Sequence, residues 1–352
     1  MSRVISVVGI RGLPAKYGGF ETFADFFCRN SSFENIVVYC DPTTPRDTKY
    51  NYADRIFLPL SANGIQGIFF DIICILIASI RRHDILVLGC SGALAIPFAR
   101  MLGIRVVTNI AGLEWGRSKW GPFARLSLRL FEWIAVKSSS YIVADNRKLK
   151  QYVKDVYGVN AKFIPYGGNQ VAEIQEVEHS LFEERNYYLS VARCQPDNNL
   201  EMIIDACVEA QVKLILISDF NSNTYGKKIR KKISKFDNII ALEAIYNLNI
   251  LGTIRKRALA YIHGHSAGGT NPVLVESMWQ KKACICFDNG FNNSTTNELG
   301  LYFKSSGELK KIIIDNKSSS EKYEKMGNDL YTFATKEYCW EAIINSYDRL
   351  YD

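Results

Sequence analysis

Gly264-His265-Ser266-Ala267-Gly268-Gly269-Thr270-Asn271-Pro272-Val273-Leu274-Val275-Glu276 is a glycine-rich turn between an apolar strand, Ala258 to Ile262, and a helix whose opening is apolar apart from one glutamate. The free N–H groups at a helix N-terminus attract anions. A carboxylate further along the same helix accepts hydrogen bonds from sugar hydroxyls. Together they suit a ligand that is part phosphate and part carbohydrate. The alternative is an ordinary strand-to-helix turn with a surface glutamate.

A second turn of this kind stands near the N-terminus. Val4-Ile5-Ser6-Val7-Val8-Gly9 is rich in β-branched residues and reads as a buried first strand. The loop Ile10-Arg11-Gly12-Leu13-Pro14-Ala15-Lys16-Tyr17-Gly18-Gly19 follows, and a helix opens near Glu21 with Phe20, Phe23 and Phe27 at core spacing. Neither a Walker pattern nor Gly-x-Gly-x-x-Gly follows this strand, so neither common phosphate-loop fingerprint applies.

Strands and helices alternate along the chain, which predicts parallel sheets with helices on both faces, an α/β class. Strands are expected at 3–9, 35–40, 84–89, 104–108, 140–144 and 161–164, and then at 187–192, 213–218, 238–242, 259–262 and 283–287. The pattern resets near Pro165-Tyr166-Gly167-Gly168-Asn169. This predicts an N-terminal Rossmann-like domain over 1–168, a Glu-rich linker over 169–185, a second Rossmann-like domain over 186–336, and a closing helix within 337–352 carrying Trp340 and Tyr347. Ligands of open α/β sheets bind beyond the carboxyl ends of strands. Both glycine turns sit at such ends, one in each domain, and two domains facing each other would place both in one cleft.

The 352 residues, 47% hydrophobic and 22% charged, suit two globular domains. The net charge of +7 fits an anionic substrate or membrane surface. No nucleic-acid-binding signature accompanies it, and no nucleic-acid partner is expected. The nine cysteines are scattered without a Cys-x-x-Cys pair, which favours reduced, buried thiols over a zinc site. Cys284 and Cys286, two apart on a strand, face the same way. No signal peptide is read at the N-terminus. Gly67 to Ile80 is apolar but contains Asp71 and is shorter than the roughly 20 residues that span a bilayer, so a buried helix is expected there.

The turn over His263 to Glu276 resembles the nucleotide-sugar motif of retaining glycosyltransferases of family 4, which reads Glu-Gly-Phe-Gly, four residues, Glu. Glu276 matches the second glutamate, while Gly268 stands at the first. Arg11 to Phe23 closely resembles the opening of a bacterial subgroup of that family known for rhamnosyl transfer in capsule and O-antigen assembly, with a DUF1972-type N-terminal domain. Further matches are Gly112-Leu113-Glu114-Trp115 with Ser118-Lys119-Trp120, and Ala192-Arg193 with Pro196 and Asn198-Asn199.

The resemblance implies the GT-B fold, two Rossmann-like doubly wound domains facing across a cleft with the last helix packed on the first domain. It also implies a retaining transferase that moves a 6-deoxyhexose, with dTDP-rhamnose the favoured donor, onto a lipid-linked saccharide at the cytoplasmic surface of the inner membrane, the enzyme being cytoplasmic and peripheral. It assigns Arg193 and Glu276 to catalysis, and Glu114, from its position beside the run Trp115 to Trp133, is read as a catalytic group that orients or deprotonates the acceptor hydroxyl or else as a structural carboxylate. It assigns Gly18, Gly19, Arg193, Asn198, His265, Gly268, Gly269, Thr270, Asn271 and Glu276 to the donor, and Arg11, Tyr17, Glu21, Glu114 and Trp115 to the acceptor side. The chain contains no Asp-x-Asp, so no metal and no other cofactor is expected, and cations with helix N-termini would stabilise the departing diphosphate.

Three departures stand out. Asn198 replaces the family's lysine, Gly268 its first glutamate, and Ala111 the aspartate that precedes Gly-Leu-Glu-Trp. The loss of the glutamate at 268 points to a donor other than the common glucose type, in accord with the rhamnosyl resemblance, and the three departures together motivate the alternative of a sugar-nucleotide-binding protein without turnover; the same fold with a UDP-hexose donor is the other alternative. His263 reads equally as a core histidine. Arg125 and Arg129 share a helix face among Trp115, Trp120, Phe123, Phe131 and Trp133, which suits an anionic membrane interface or a core helix with a basic edge. The lysine-rich run Lys227 to Lys235 reads as a solvated helix face.

Overall fold

The computed structural model describes residues 3–15, 18–110, 112–117, 120–178, 186–317 and 319–352. Tyr17, Ala111, Ser118 and Lys119, singled out above, lie outside the described residues, as does 179–185 of the expected linker. The chain divides into two compact units, one of Met1–Tyr166 with Trp340–Asp352 and one of Gly167–Cys339.

The first unit holds β1 (Val4–Val8), α1 (Gly18–Asn30), β2 (Asn35–Cys40), β3 (Asp54–Phe57), α2 (Gly64–Ile80), β4 (Asp84–Leu88), α3 (Ile96–Met101), β5 (Val106–Asn109), α4 (Pro122–Ser138), β6 (Tyr141–Ala144), α5 (Arg147–Tyr157) and β7 (Lys162–Phe163). All neighbouring strands are parallel, in the order β3-β2-β1-β4-β5-β6-β7. The period-2 alternation of β1 distributes its side chains between two layers. Ile5 and Val7 pack with Phe23 and Phe27 of α1, while Val4 and Val8 pack with Phe70 and Ile75 of α2.

The second unit repeats the plan with β8 (Tyr188–Val191), α6 (Leu200–Glu209), β9 (Leu214–Ser218), α7 (Thr224–Ile233), β10 (Ile239–Glu243), α8 (Leu248–Arg257), β11 (Ala260–His263), α9 (Pro272–Trp279), β12 (Ala283–Phe287), α10 (Phe291–Thr295), β13 (Leu301–Phe303), α11 (Ser306–Asn316) and α12 (Ser320–Glu337). Its strands are parallel in the order β10-β9-β8-β11-β12-β13. Asparagine caps recur where the alternation predicts helix starts: Asn63, Asn146, Asn223, Asn247 and Asn271 each accept from a backbone N–H of the helix that follows. Cys284 and Cys286 of β12 are buried in one cluster with Leu274 and Met278.

Residues 340–352 return to the first unit through α13 (Trp340–Asp348). Trp340 stacks on Phe26 with ring centroids 4.5 Å apart, and Tyr347 lies 4.7 Å from Phe23. Asn109 donates to Tyr347 Oη at 2.7 Å, and Tyr351 Oη donates to the Ile85 carbonyl at 3.1 Å. The Asp348 carboxylate accepts from Ser31 Oγ and Ser32 N, both at 2.7 Å.

Two details differ from the sequence reading. Strands β3 and β13 were not expected. Both lie at a sheet edge; β3 is four residues opening with the charged pair Asp54-Arg55, and β13 is only the three residues Leu301–Phe303. Residues 169–178 are held on the second unit instead of running as a free linker, since Gln175 N donates to Asn249 Oδ1 and Val177 N to Thr253 Oγ1, both on α8. The closing helix expected within 337–352 is the short α13, separated from α12, which ends at Glu337.

Candidate functional site

Each sheet has one place where strand order reverses, between β1 and β4 in the first unit and between β8 and β11 in the second. Connections leave such a point in opposite directions and open a crevice at the carboxyl ends of the two strands. The two glycine turns of the sequence occupy these positions.

In the second unit, β8 ends at Val191 and the chain passes to Arg193, whose side chain is exposed. Among the described residues its guanidinium has no ion pair or hydrogen bond. Beside it, two loops are locked together. Asn198 Nδ2 donates to the Arg193 carbonyl at 2.8 Å, which turns Oδ1 toward His265 Nδ1 at 2.6 Å. Asn199 Nδ2 donates to the Gly264 carbonyl at 2.8 Å, and Ser266 N to the Asp197 carbonyl at 2.8 Å. A Cβ on Gly264 would stand 2.2 Å from the Asn198 carbonyl oxygen, so only glycine permits this approach. Asn198, expected among the donor-site residues, is therefore also a buried brace with both ends of its amide engaged. It fixes the tautomer of His265, whose Nδ1 must carry the proton to donate to Oδ1.

The turn then runs through Gly268 and Gly269 to α9. Gly269 takes φ +105°, in the region that favours glycine. Thr270 is buried, and Asn271 caps the helix by accepting from Val273 N at 3.1 Å, with Pro272 in the first turn. A Cβ at Gly268 would come within 2.6 Å of the Phe291 ring. The space a glutamate side chain would take at 268 is thus filled by an aromatic ring from α10.

Glu276 is more constrained than the sequence suggested. Its Oε2 accepts from Arg255 Nη2 at 2.8 Å and its Oε1 from Gln170 Nε2 at 2.8 Å. The Arg255 side chain is 0% exposed and that of Glu276 14%. Arg255 also donates to Gln280 Oε1 at 2.9 Å. Sequence reasoning missed Arg255, because Arg255-Lys256-Arg257 looks like an ordinary basic helix end. His263, at the end of β11, is a core residue. Its Nδ1 lies 3.1 Å from Tyr261 Oη, and burial with the neighbouring His265 pushes its pKa well below the ordinary value. The imidazole is neutral.

In the first unit, Gly9 follows β1 with φ +99°, and a Cβ there would meet the Leu88 carbonyl at the end of β4. Arg11, expected on the acceptor side, is committed to a structural clamp. Its Nε donates to Asp41 at 3.3 Å and its Nη2 to Thr43 Oγ1 at 3.0 Å. Burial pushes Asp41 upward, but hydrogen bonds from the Thr43 side chain and amide and the Ala62 amide, together with the Arg11 charge, outweigh it and hold the carboxyl below its usual range. Glu21 stands in the first turn of α1, its Oε1 3.4 Å from Arg11 N, while Gly18 and Gly19 open that helix.

Glu114 and Trp115 form a short 3-10 turn. Glu114 accepts from Arg117 Nη1 at 3.2 Å and Trp120 Nε1 at 3.1 Å, so its charge is already answered and its suitability as a general base is reduced. The guanidinium of Arg129 lies 3.9 Å from the Trp115 ring centroid. Asp71 of α2 was weighed in the sequence only as a polar break in an apolar run. It is buried, accepts from the Ser91 hydroxyl in a short contact, and is bonded by the Gly9 amide. It braces the loops after β1 and β4 from beneath. Burial raises its pKa to about 7, against the lowering influence of these two donors.

A hollow of about 320 Å³ lined by Tyr141, Lys162 and Leu350 lies at the β6–β7 edge, away from these strand ends. Among the described residues no group of three or more His, Cys, Asp or Glu side chains is placed to hold a metal ion.

Residues 2–169 match the family described as a domain of unknown function, DUF1972. No curated protein matches the chain. Solved structures of the GT-B fold match it over nearly its whole length. Sucrose-phosphate synthase from Thermosynechococcus elongatus is 15% identical with a TM-score of 0.82, covering 99% of this chain and 98% of its own. HepE from Anabaena, solved in complex with UDP and glucose, is 14% identical with a TM-score of 0.74 and 99% coverage of both chains. WaaG, a glycosyltransferase involved in lipopolysaccharide biosynthesis, is 11% identical with a TM-score of 0.75 and 99% coverage of both. The fold is GT-B.

Proposed function

We propose that this chain is a retaining, metal-independent glycosyltransferase that moves a 6-deoxyhexose, rhamnose from dTDP-rhamnose, onto a lipid-linked saccharide of an O-antigen or capsule polysaccharide. It would work in the cytoplasm at the inner face of the plasma membrane. The observation that carries this reading is the exposed guanidinium of Arg193 at the switch point of the second sheet, next in space to the braced turn that leads into α9. A diphosphate leaving group needs positive charge as its bond to the sugar breaks. Arg193 supplies it with no carboxylate paired to it among the described residues, and the N–H groups at the start of α9 add partial charge. Glu276, held rigid by Arg255 and Gln170, keeps lone pairs for hydroxyls of the nucleotide sugar.

The 6-deoxyhexose is supported by the Phe291 ring where the family's first glutamate would project, because an apolar wall suits a methyl group better than a hydroxyl. A UDP-hexose donor is the second reading, favoured by the likeness in fold to HepE with UDP and glucose bound. The departures at Gly268, Asn198 and Ala111 sustain a third, a sugar-nucleotide-binding protein without turnover.

Calorimetry and thermal shift against dTDP-rhamnose, UDP-glucose, UDP-galactose, UDP-N-acetylglucosamine and GDP-mannose separate these readings, since a ligand that binds only the native state raises its stability. Selective stabilisation by dTDP-rhamnose is expected. Selective stabilisation by a UDP sugar overturns the rhamnosyl assignment, and donor binding without turnover on any lipid-linked acceptor supports the third reading. Transfer should persist in chelator; a strict divalent-cation requirement contradicts the metal-free mechanism.

A further inference from the structure

Helices α3 and α4 of the first unit pack against one another. On α4, Phe123, Leu126, Leu130 and Trp133 are 84%, 68%, 50% and 50% exposed. Their spacing of three, four and three residues puts them on one helical face. On α3, Phe98 and Met101 are 40% and 84% exposed. The opposite side of α4 is the buried one, where Ala135 and Val136 meet the core and Glu132 accepts the hydroxyls of Tyr152 and Tyr157, both at 2.6 Å. Scattered exposed leucines are ordinary, but six large apolar side chains on two adjoining helices form a surface that needs a partner.

The charge on these helices says which partner. Their cations are Arg100, Arg125, Arg129 and Lys137, all in exposed positions, and their one acidic residue, Glu132, is buried. A second copy of this surface would bring like charge against like. A helix with an apolar stripe edged by arginine and lysine matches the headgroup region of an anionic bilayer, where the stripe enters the acyl boundary and the cations meet lipid phosphates. Spanning is not the mode, because among the described residues no helix is long and apolar enough to cross a membrane.

We propose that the outer face of α3 and α4, led by Phe123, Leu126, Leu130 and Trp133, docks the first unit on an anionic lipid bilayer. This deepens the reading of a lipid-borne acceptor, and it rests on that reading only for its purpose. The aromatic and basic residues of the sequence are sorted by the structure into two roles. Trp115 lies under Arg129 and Phe131 is half-buried in the core, whereas Phe123 and Trp133 join leucines on the outer stripe.

The test is co-sedimentation of the full chain with vesicles of phosphatidylcholine alone and of phosphatidylcholine with phosphatidylglycerol, at low and high salt. The chain is expected to pellet with the anionic vesicles and to be released by salt. The double variant Phe123→Ser/Leu126→Ser, both sites being exposed, should keep the wild-type melting temperature and lose binding by about tenfold or more. Arg125→Glu should weaken binding to anionic vesicles alone. Failure of the wild-type chain to pellet, or pelleting indifferent to the double variant, overturns the proposal. So does a concentration-dependent dimer that the double variant dissolves, which would assign the face to a second copy. Donor affinity measured in the same variants should be unchanged, so failure of the docking face and failure of the glycosyltransferase reading give different results.

Discussion

Arg255 Nη2 donates to Glu276 Oε2 across 2.8 Å, and the arginine side chain that does so is wholly buried. A glutamate that resembles a family's nucleotide-sugar ligand is thus also one half of a buried ion pair. Removing one partner of such a pair leaves an uncompensated buried charge, which typically costs about 3–5 kcal/mol, whereas replacing both with groups of similar volume is often close to neutral. Glu276→Ala is therefore expected to lower both the melting temperature and donor affinity. The double variant Arg255→Met/Glu276→Gln should recover most of the stability while donor affinity stays low. Chemical denaturation with calorimetry on the same samples checks this. Recovery of affinity together with stability would show that Glu276 acts only as a structural anchor.

Arg193 presents the opposite case. Its guanidinium is exposed and, among the described residues, unpaired. Exposed substitutions away from special features usually change stability by within about 0.5 kcal/mol. Arg193→Ala should leave the melting temperature unchanged and weaken binding of a nucleoside diphosphate by roughly tenfold or more, which is about 1.4 kcal/mol. Arg193→Lys should recover part of the loss, because a point charge replaces a planar fork. Unaltered titrations in both variants would remove the residue from the phosphate site.

The Asp71 carboxyl gives a pH prediction with a definite sign. Its folded-state pKa is raised from the ordinary 3.8 to about 7, burial being the main cause. A group displaced upward contributes stability that is fully present below its unfolded pKa and is lost as pH rises through the folded one. The wild-type chain should therefore lose this contribution between about pH 4 and pH 7, by at most about 4 kcal/mol. Asp71→Asn keeps the shape and cannot ionise. Its stability relative to wild type should climb over that window and level off above it. A difference that stays flat from pH 4 to pH 8 would show that Asp71 ionises as freely in the folded chain as in the unfolded one.

Much of this was legible in the sequence where a residue acts through its own chain neighbours. Buried central strands such as Val4–Val8 and Leu214–Ser218 announce themselves as β-branched or aliphatic runs, and both glycine turns were placed correctly at strand ends. Strands β3 and β13 were not legible, since β3 opens with the charged pair Asp54-Arg55 and β13 is only three residues long, too short to show a period. Long-range partnership was not legible either. Nothing local in the sequence ties Glu276 to Arg255, Asn198 to His265, or Arg11 to Asp41, because each contact depends on which loops the topology brings side by side. Asn198 illustrates the consequence. Its position matches the family's phosphate-site lysine, but that its buried amide also braces the turn at His265 could be seen only in the fold.

Gly268 and Phe291 supply the last prediction, one about donor choice. The ring stands 2.6 Å from where a Cβ on residue 268 would be, so the phenylalanine ring as placed requires glycine at 268. Gly268→Glu alone must displace the ring, and overpacking of this kind costs about 1–3 kcal/mol. Phe291→Ala clears the space, and the pair Gly268→Glu/Phe291→Ala should restore stability toward wild type. If the ring forms the apolar wall beside a sugar methyl group, Phe291→Ala should weaken dTDP-rhamnose more than UDP-glucose. The added carboxylate in the double variant should then shift preference further toward the hexose, because it can accept from a hydroxyl that the deoxy sugar lacks. Calorimetric titration of both donors against the three variants reads the effect as a ratio of affinities. A ratio that stays constant across all three would mean that the ring packs the turn without meeting the sugar, and the source of donor selectivity would have to be sought at Thr270 and Asn271 instead.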